Sequence, residues 1–367
     1  MKTVKLKVIK VKQSIGFIYI AKIKPVDLLE MSSVDRRRIE NNTDFYGVQR
    51  DLRKDKVTQV KNYLTSIDAT FPNSIILNTT SSSVISESDD YLEFNVDPNT
   101  FTIIDGQHRV EGFKDANNDL KSDFELIVTI FKDLSNDKQS KIFTIINSTQ
   151  TKVDPTLYYN LELNRKEYTP AKMMTEIAQS FNYDSNSPLF KVIKLISNKS
   201  TDNDKKIISL ASFVKPLLSL TYPESDYYKI DNMLTNSVEF PNFDDISYDD
   251  KRYPFWTFYK KRDFDSVYKI LFNYFAALKV VFKNDWLNSE SLLNKTTGYN
   301  ALMMLFRELF IKGVGKGTLT SSFFESEVDN LRKMDGTINT SKYGASGDQA
   351  SKALFDDLKR CIQGAKV

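Results

Sequence analysis

The one histidine of the chain, His108, sits in the run Asp105-Gly106-Gln107-His108-Arg109. That run follows Phe101 to Ile104, a continuous apolar stretch of β character, and leads into Val110 and Phe113 at helical spacing. A strand, a glycine that permits a sharp turn and the first turn of a helix bring free backbone N–H groups and the positive end of a helix dipole to one spot. Such a corner is a ready anion site. Arg109 adds a two-pronged donor for phosphate, and His108 a second donor or a proton carrier. Asp105 either caps the helix, pairs with Arg109 or binds a magnesium ion accompanying a phosphate; the sequence leaves the three open. A purely structural turn with a packed histidine is the bland alternative. Five special residues without a gap favour a phosphate-binding or DNA-facing site.

Other stretches compete for a role. Gln49 and Arg50 repeat the glutamine and arginine of the turn and precede Arg53, Lys54 and Lys56, so they read as a second wall of the same pocket or as DNA-backbone contacts. For the lysines and Arg53, a solvated helix start explains the charge equally well. Arg36-Arg37-Arg38 is a short positive cluster of the kind that is usually just solvated. Asn147 and Gln150 stand where a helix is expected to end, with amides suited either to a ligand or to ordinary loop chemistry. Lys312-Gly-Val-Gly315-Lys316-Gly317-Thr318 invites a phosphate-loop reading, but that loop's first glycine falls at Phe310 and the preceding residues read as a helix where a strand is required. It reads instead as a helix C-cap and a loop. Tyr253, Phe255 and Trp256 beside Lys260, Lys261 and Arg262 mix rings and charge as single-strand binders do, yet such a cluster entering a helical domain reads first as core.

The Asp105–Arg109 pentapeptide resembles the signature of DGQHR-domain proteins, and especially the DndB group of bacterial DNA phosphorothioation systems. Three further blocks support the resemblance over most of the chain: Gly47-Val-Gln49-Arg50, Ile145-Ile-Asn147-Ser148-Thr149-Gln150, and Lys295-Thr296-Thr297-Gly298. The second of these keeps Asn147 as a candidate. The domain is also similar to the ParB/sulfiredoxin fold, in which a Gly-x-x-Arg element opens a helix and holds phosphate. Where sulfiredoxins carry a cysteine this chain has Gln107, which cannot become a thiolate nucleophile.

The resemblance implies a DNA-binding protein of a DNA modification and antiviral defence system, a transcriptional regulator of the modification genes, with a phosphate or nucleotide at the turn. It also implies the competing activities of a nucleotide hydrolase or DNA nickase, with Asp105 placing metal or water and His108 moving a proton. ATP or another nucleotide with magnesium is the implied cofactor, and none is fixed by the residues. DNA and other modification subunits are the implied partners, and a subunit-docking protein whose turn is structural is the third reading.

Positioning these residues requires a fold, and composition bounds it. The 367 residues are 41% hydrophobic with 25 Phe and 18 Tyr, enough to fill real cores. Lys and Arg total 51 against 48 acidic residues, a net +3 that excludes the strong global field of small basic DNA-binding domains. One cysteine, Cys361, and one histidine exclude a disulfide framework, a zinc finger and any Cys/His metal site. The most apolar stretch, Val267 to Phe282, is interrupted by Lys269, Asn273 and Lys279, so the chain is expected to be cytoplasmic with no membrane span or export signal.

Alternation at Val4, Leu6, Val8 and at Phe17, Tyr19, Ala21 predicts an N-terminal hairpin. Val57, Val60, Tyr63 and Leu64 predict an amphipathic helix, Ile75 to Leu77, Leu92 to Val96 and Phe124 to Phe131 predict strands, and Ser135 opens a helix burying Ile142, Phe143 and Ile146. Beyond Asp154-Pro155 the β signals fade, and Thr169-Pro170 starts the first of several helices. The expected architecture is α+β: a ParB/sulfiredoxin-like α/β domain over 1–165 and a mostly helical domain over 166–367.

Overall fold

In the N-terminal residues the alternation becomes a hairpin, β1 (Thr3–Gln13) and β2 (Gly16–Ile23), closed where Gln13 faces Gly16. Gly16 has φ +125°, a conformation open to glycine and strained for other residues. The computed structural model describes residues 2–33, 38–40, 44–46, 52–149, 154–196, 208–288, 290–344 and 347–364, with backbone alone for 38–40, 44–46 and 147–149. The chain divides into two compact units, Met1–Lys152 and Val153–Val367.

After the hairpin, the first unit continues with α1 (Pro25–Met31), whose Pro25 occupies a first-turn position where a missing N–H costs nothing. The elements β3 (Ser32–Ser33), β4 (Arg38–Glu40), β5 (Asp44–Tyr46) and α2 (Lys54–Tyr63) follow. Then come β6 (Ile75–Thr79), β7 (Val84–Glu87), β8 (Tyr91–Asn95), β9 (Phe101–Asp105), α3 (Gln107–Gly112), α4 (Asn118–Asp123), β10 (Leu126–Lys132) and α5 (Asn136–Thr149).

Eight of these strands form one sheet in the order β3-β9-β6-β10-β2-β1-β8-β7. It is mixed: β10 runs parallel to β6 and β3 parallel to β9, while the other pairs are antiparallel. Its two faces carry separate apolar clusters. On one, Leu28 and Met31 of α1, Leu64 after α2 and Val110 and Phe113 around α3 cover Ile75, Leu77, Phe94 and Val128. On the other, Ile142 and Phe143 of α5 pack against Ile18, Ile104 and Phe131. Full burial of residues such as Phe113 and Leu77, both 0% exposed, stabilises the unit by roughly 1.5–3 kcal/mol each.

The second unit is mostly helical. Asp154 caps α6 (Pro155–Glu162), and Thr169 caps α7 (Pro170–Tyr183) by accepting the Lys172 N–H at 3.0 Å. Residues 153–165, expected with the first domain, lie in this unit, where the Asn160 side chain donates to Leu195 O and Arg165 pairs with Asp231. The short parallel pair β11 (Ile193–Lys194) and β12 (Ile208–Ser209) precedes α8 (Leu210–Ser219), α9 (Tyr227–Asn236), α10 (Trp256–Lys260), α11 (Phe264–Val281) and α12 (Lys283–Leu287). The unit closes with α13 (Thr296–Gly315), α14 (Ser321–Val328), α15 (Thr340–Tyr343) and α16 (Asp348–Ile362).

Met173, Met174, Ile177 and Phe181 of α7, spaced as the sequence predicts, are fully buried in this unit's core. Phe255 and Trp256 are core residues as well, and Cys361 is buried in α16. The expected C-cap after Ile311 is corrected. The helix α13 runs through Gly313 and Gly315, and Gly317 (φ +67°) takes the left-handed position beyond it. Gly313 is a glycine because a Cβ there would meet Thr318 O at 2.6 Å. Among the described residues no helix is long and apolar enough to cross a membrane.

Candidate functional site

The corner at Asp105–Arg109 forms as a strand, a glycine and a helix. Phe101, Ile103 and Ile104 anchor β9 in the two cores, and the β6–β9 register shifts there: Leu77 faces Ile103 while Ile76 faces Asp105. Ile104 is therefore an extra residue, a bulge of the kind that redirects the side chains after it. Gly106 follows at φ +97°, ψ +11°, and a Cβ on it would stand 3.0 Å from Ile75 Cγ1 and 3.1 Å from Arg109 Nη2. Both backbone conformation and space demand glycine.

The three roles left open for Asp105 resolve to the ion pair. Its Oδ2 lies 3.1 Å from Arg109 Nη2, and no side chain caps α3. Arg109 is largely buried: Nη2 also donates to Ser74 O at 3.1 Å and Nη1 donates to Asn73 O. Burial pushes the guanidinium below its ordinary value, and Asp105 opposes that shift. The expected two-pronged phosphate donor is thus committed to the strand end beside it, pinning α3 to the start of β6. The Oδ2 of Asp105 is engaged in the same ion pair. Among the described residues no group of three His, Cys, Asp or Glu is placed to hold a metal. The helix dipole expected at the corner is small as well, because α3 has only six residues.

His108 is half-buried and reaches the neighbouring helix: its Nε2 accepts the backbone N–H of Arg53 at 3.2 Å. Arg53 is the N-cap residue of α2, and its own side chain makes no cap hydrogen bond. His108 therefore does from another element what the third residue of a capping box does within one. The acceptor role assigns the proton to Nδ1. Burial, then the nearby Arg53 charge, hold the imidazole below its ordinary value; Asp55 and Asp105 oppose, and Lys56 adds to the lowering. The helices meet closely: a Cβ on Gly112 of α3 would run into Val60 of α2.

Gln107 is buried at the start of α3. Arg53, Lys54 and Lys56 are exposed, Arg53 paired with Asp55 at 2.6 Å. The geometry thus brings the turn together with the basic start of α2. Gln49, Arg50, Arg36, Arg37 and Gln150 lie outside the described residues, as do the side chains of Arg38 and Asn147. The backbone of Asn147 is inside α5, which continues to Thr149 past the end expected at Asn147. Gly298, from the third supporting block, sits in the first turn of α13 in the other unit, where a Cβ would collide with the backbone of Leu292 and Leu293. That block's glycine serves close packing. The partners missed by the sequence are the Arg53 N–H and the Asn73 and Ser74 carbonyls; backbone groups carry no residue-type signal, although His108 is the one side chain whose type asked for such a partner.

A mixed-sheet unit with one strand–glycine–helix corner, followed by a helical unit, defines an α+β protein. The family model of DNA-sulfur modification-associated DndB proteins matches residues 6–306, and the chain belongs to that family. No curated protein matches it. Among solved structures it is similar to the C-terminally truncated chromosome-partitioning protein ParB from Caulobacter crescentus complexed with CTP-gamma-S, at 13% identity and a TM-score of 0.26 over 42% of this chain and 68% of that one. The α+β class rests on the elements described above, not on that likeness.

Proposed function

We propose that the chain binds DNA within a DNA-sulfur modification system, as a regulator of the modification genes, and meets backbone phosphate at the surface formed by α2 and the Asp105–Arg109 turn. The observation that carries this reading is the hydrogen bond from the Arg53 N–H to His108, because it fixes the turn characteristic of the family against the exposed cations Arg53, Lys54 and Lys56. In this reading Asp105 and Arg109 are positioning residues, Gly106 and Gln107 shape the corner, and His108 holds α2 while keeping Nδ1–H available. Gln49, Arg50 and Asn147 remain candidate contacts of the same surface, and a nucleotide is a candidate ligand there.

The nickase or hydrolase reading is less favoured, since the Asp105 carboxylate and His108 Nε2 are already engaged. One comparison separates the two. Duplex binding, ATP turnover and plasmid nicking are measured with and without magnesium on the wild type and on His108→Ala. We expect salt-sensitive duplex binding with no turnover and no nicking. Turnover or nicking that disappears in His108→Ala would replace the regulator with an enzyme.

A further inference from the structure

The helical unit carries a row of aromatic rings with an exposed arginine stacked at each end. Tyr253 lies 5.4 Å from Tyr248, Tyr248 4.9 Å from Trp256, Trp256 5.4 Å from Phe243, and Phe243 5.5 Å from Phe240. Arg252 sits over the Tyr253 ring at 5.4 Å. Arg262 sits over two rings, Tyr168 at 5.0 Å and Phe240 at 5.5 Å. Both arginines are exposed, and neither has a carboxylate partner among the described residues.

Arg262 holds this position against its backbone preference. With φ +53° it is, among the described residues, one of three non-glycine residues in the left-handed region, at the end of α10 where its N–H donates to Tyr259 O and the Asp263 N–H to Phe258 O. Glycine is the usual residue at such a helix end, and a side chain there costs about 1 kcal/mol. The conformation sets the guanidinium over two ring faces. A guanidinium held over a ring face by cation–π attraction and free of a carboxylate keeps its N–H donors for an outside acceptor, and its fork suits bidentate phosphate contact.

More cations stand beside each end: Lys260 and Lys261 next to Arg262, and Lys251 next to Arg252, with Arg307 Nε donating to Lys251 O at 3.1 Å. Acids of the same stretch are exposed too, Asp249 and Asp250 among them, but both have partners in the fold. Asp249 accepts the Lys251 N–H, Asp263 caps α11 through the Ser266 N–H, and Asp250 meets the Thr257 hydroxyl. Their charge keeps the field low, so the contact here is local bonding at the two stacked arginines.

We propose that Arg252 and Arg262 are backbone-phosphate contacts of a second DNA-binding surface, on the helical unit; this rests on the DNA-binding reading above. The test uses the full chain and a short fluorescent duplex titrated at several salt concentrations, with Arg262→Gly, Arg252→Ala and the double variant. Glycine suits the left-handed position, so Arg262→Gly is expected to melt no lower than the wild type. Its duplex affinity is expected to fall about tenfold, and the slope of log affinity against log salt to shrink by about one for each arginine removed. Wild-type affinity and slope in the double variant would overturn the second surface, as would a lower melting temperature in Arg262→Gly with binding unchanged, which would make the stacking structural only. Loss of binding in a Lys54→Ala/Lys56→Ala control alongside unaffected arginine variants would leave the DNA-binding reading standing and remove this one. Absence of duplex binding by the wild type would remove both.

Discussion

His108 enters as a candidate phosphate ligand or proton carrier and leaves as a cap for a helix to which it does not belong. Its Nε2 takes the Arg53 N–H only while neutral, and burial already holds its pKa below the ordinary 6.5. The pH dependence has a definite sign. Because the folded value lies below the unfolded one, the unfolded chain binds the proton more readily as pH drops. The contribution is fully present above pH 6.5 and is lost as pH falls from there through the lowered folded value. Thermal melts are therefore expected to show the wild type losing more stability than His108→Gln between pH 7.5 and pH 5, a window set by that lowered value. With one histidine in the chain, a nitrogen-15 spectrum of the imidazole reports it without overlap. Protonation at Nδ1 and a midpoint below 6.5 are expected; an Nε2–H tautomer would contradict the cap.

The pairing of α2 with α3 turns on Gly112, which lets Val60 approach. We expect Gly112→Ala to destabilise the protein by roughly 1–3 kcal/mol, the cost of overpacking, and Val60→Ala in the same chain to recover part of that loss. Chemical denaturation of the two single variants and the double measures the coupling, and strict additivity would show that the helices are not in contact here. Much of this region was legible in the sequence. The apolar run Phe101 to Ile104, the glycine and the helical spacing of Val110 and Phe113 marked the corner, and Val57, Val60 and Leu64 marked α2. The bulge at Ile104 was not legible, since a one-residue shift of register depends on the partner strand. The commitment of Arg109 to the Asn73 and Ser74 carbonyls was hidden for a related reason: a sequence shows that an arginine stands at a helix start, but not which backbone oxygens come within its reach. Gly313 and Gly315 misled in the other direction: both lie inside α13, and Gly313 is required where the chain folds back so that Thr318 O and Phe323 come close.

Across the whole chain, 51 basic and 48 acidic residues nearly cancel, so the proposed binding of DNA calls for local surfaces, not a global field. The two units keep separate cores, and each offers its own cations: Arg53, Lys54 and Lys56 around α2 in one, Arg252 and Arg262 in the other. Membership of the DndB family was legible from the pentapeptide and its supporting blocks. The inward commitment of the pentapeptide was not, and it moves the expected DNA contact from Arg109 to the helix that His108 caps. The most direct test is duplex affinity against salt concentration for the wild type and for Lys54→Ala/Lys56→Ala, two exposed residues whose loss leaves the core intact. The expected result is weaker binding with a log–log slope reduced by about two, one for each phosphate contact removed. A double variant with the affinity and slope of the wild type would contradict the proposed surface.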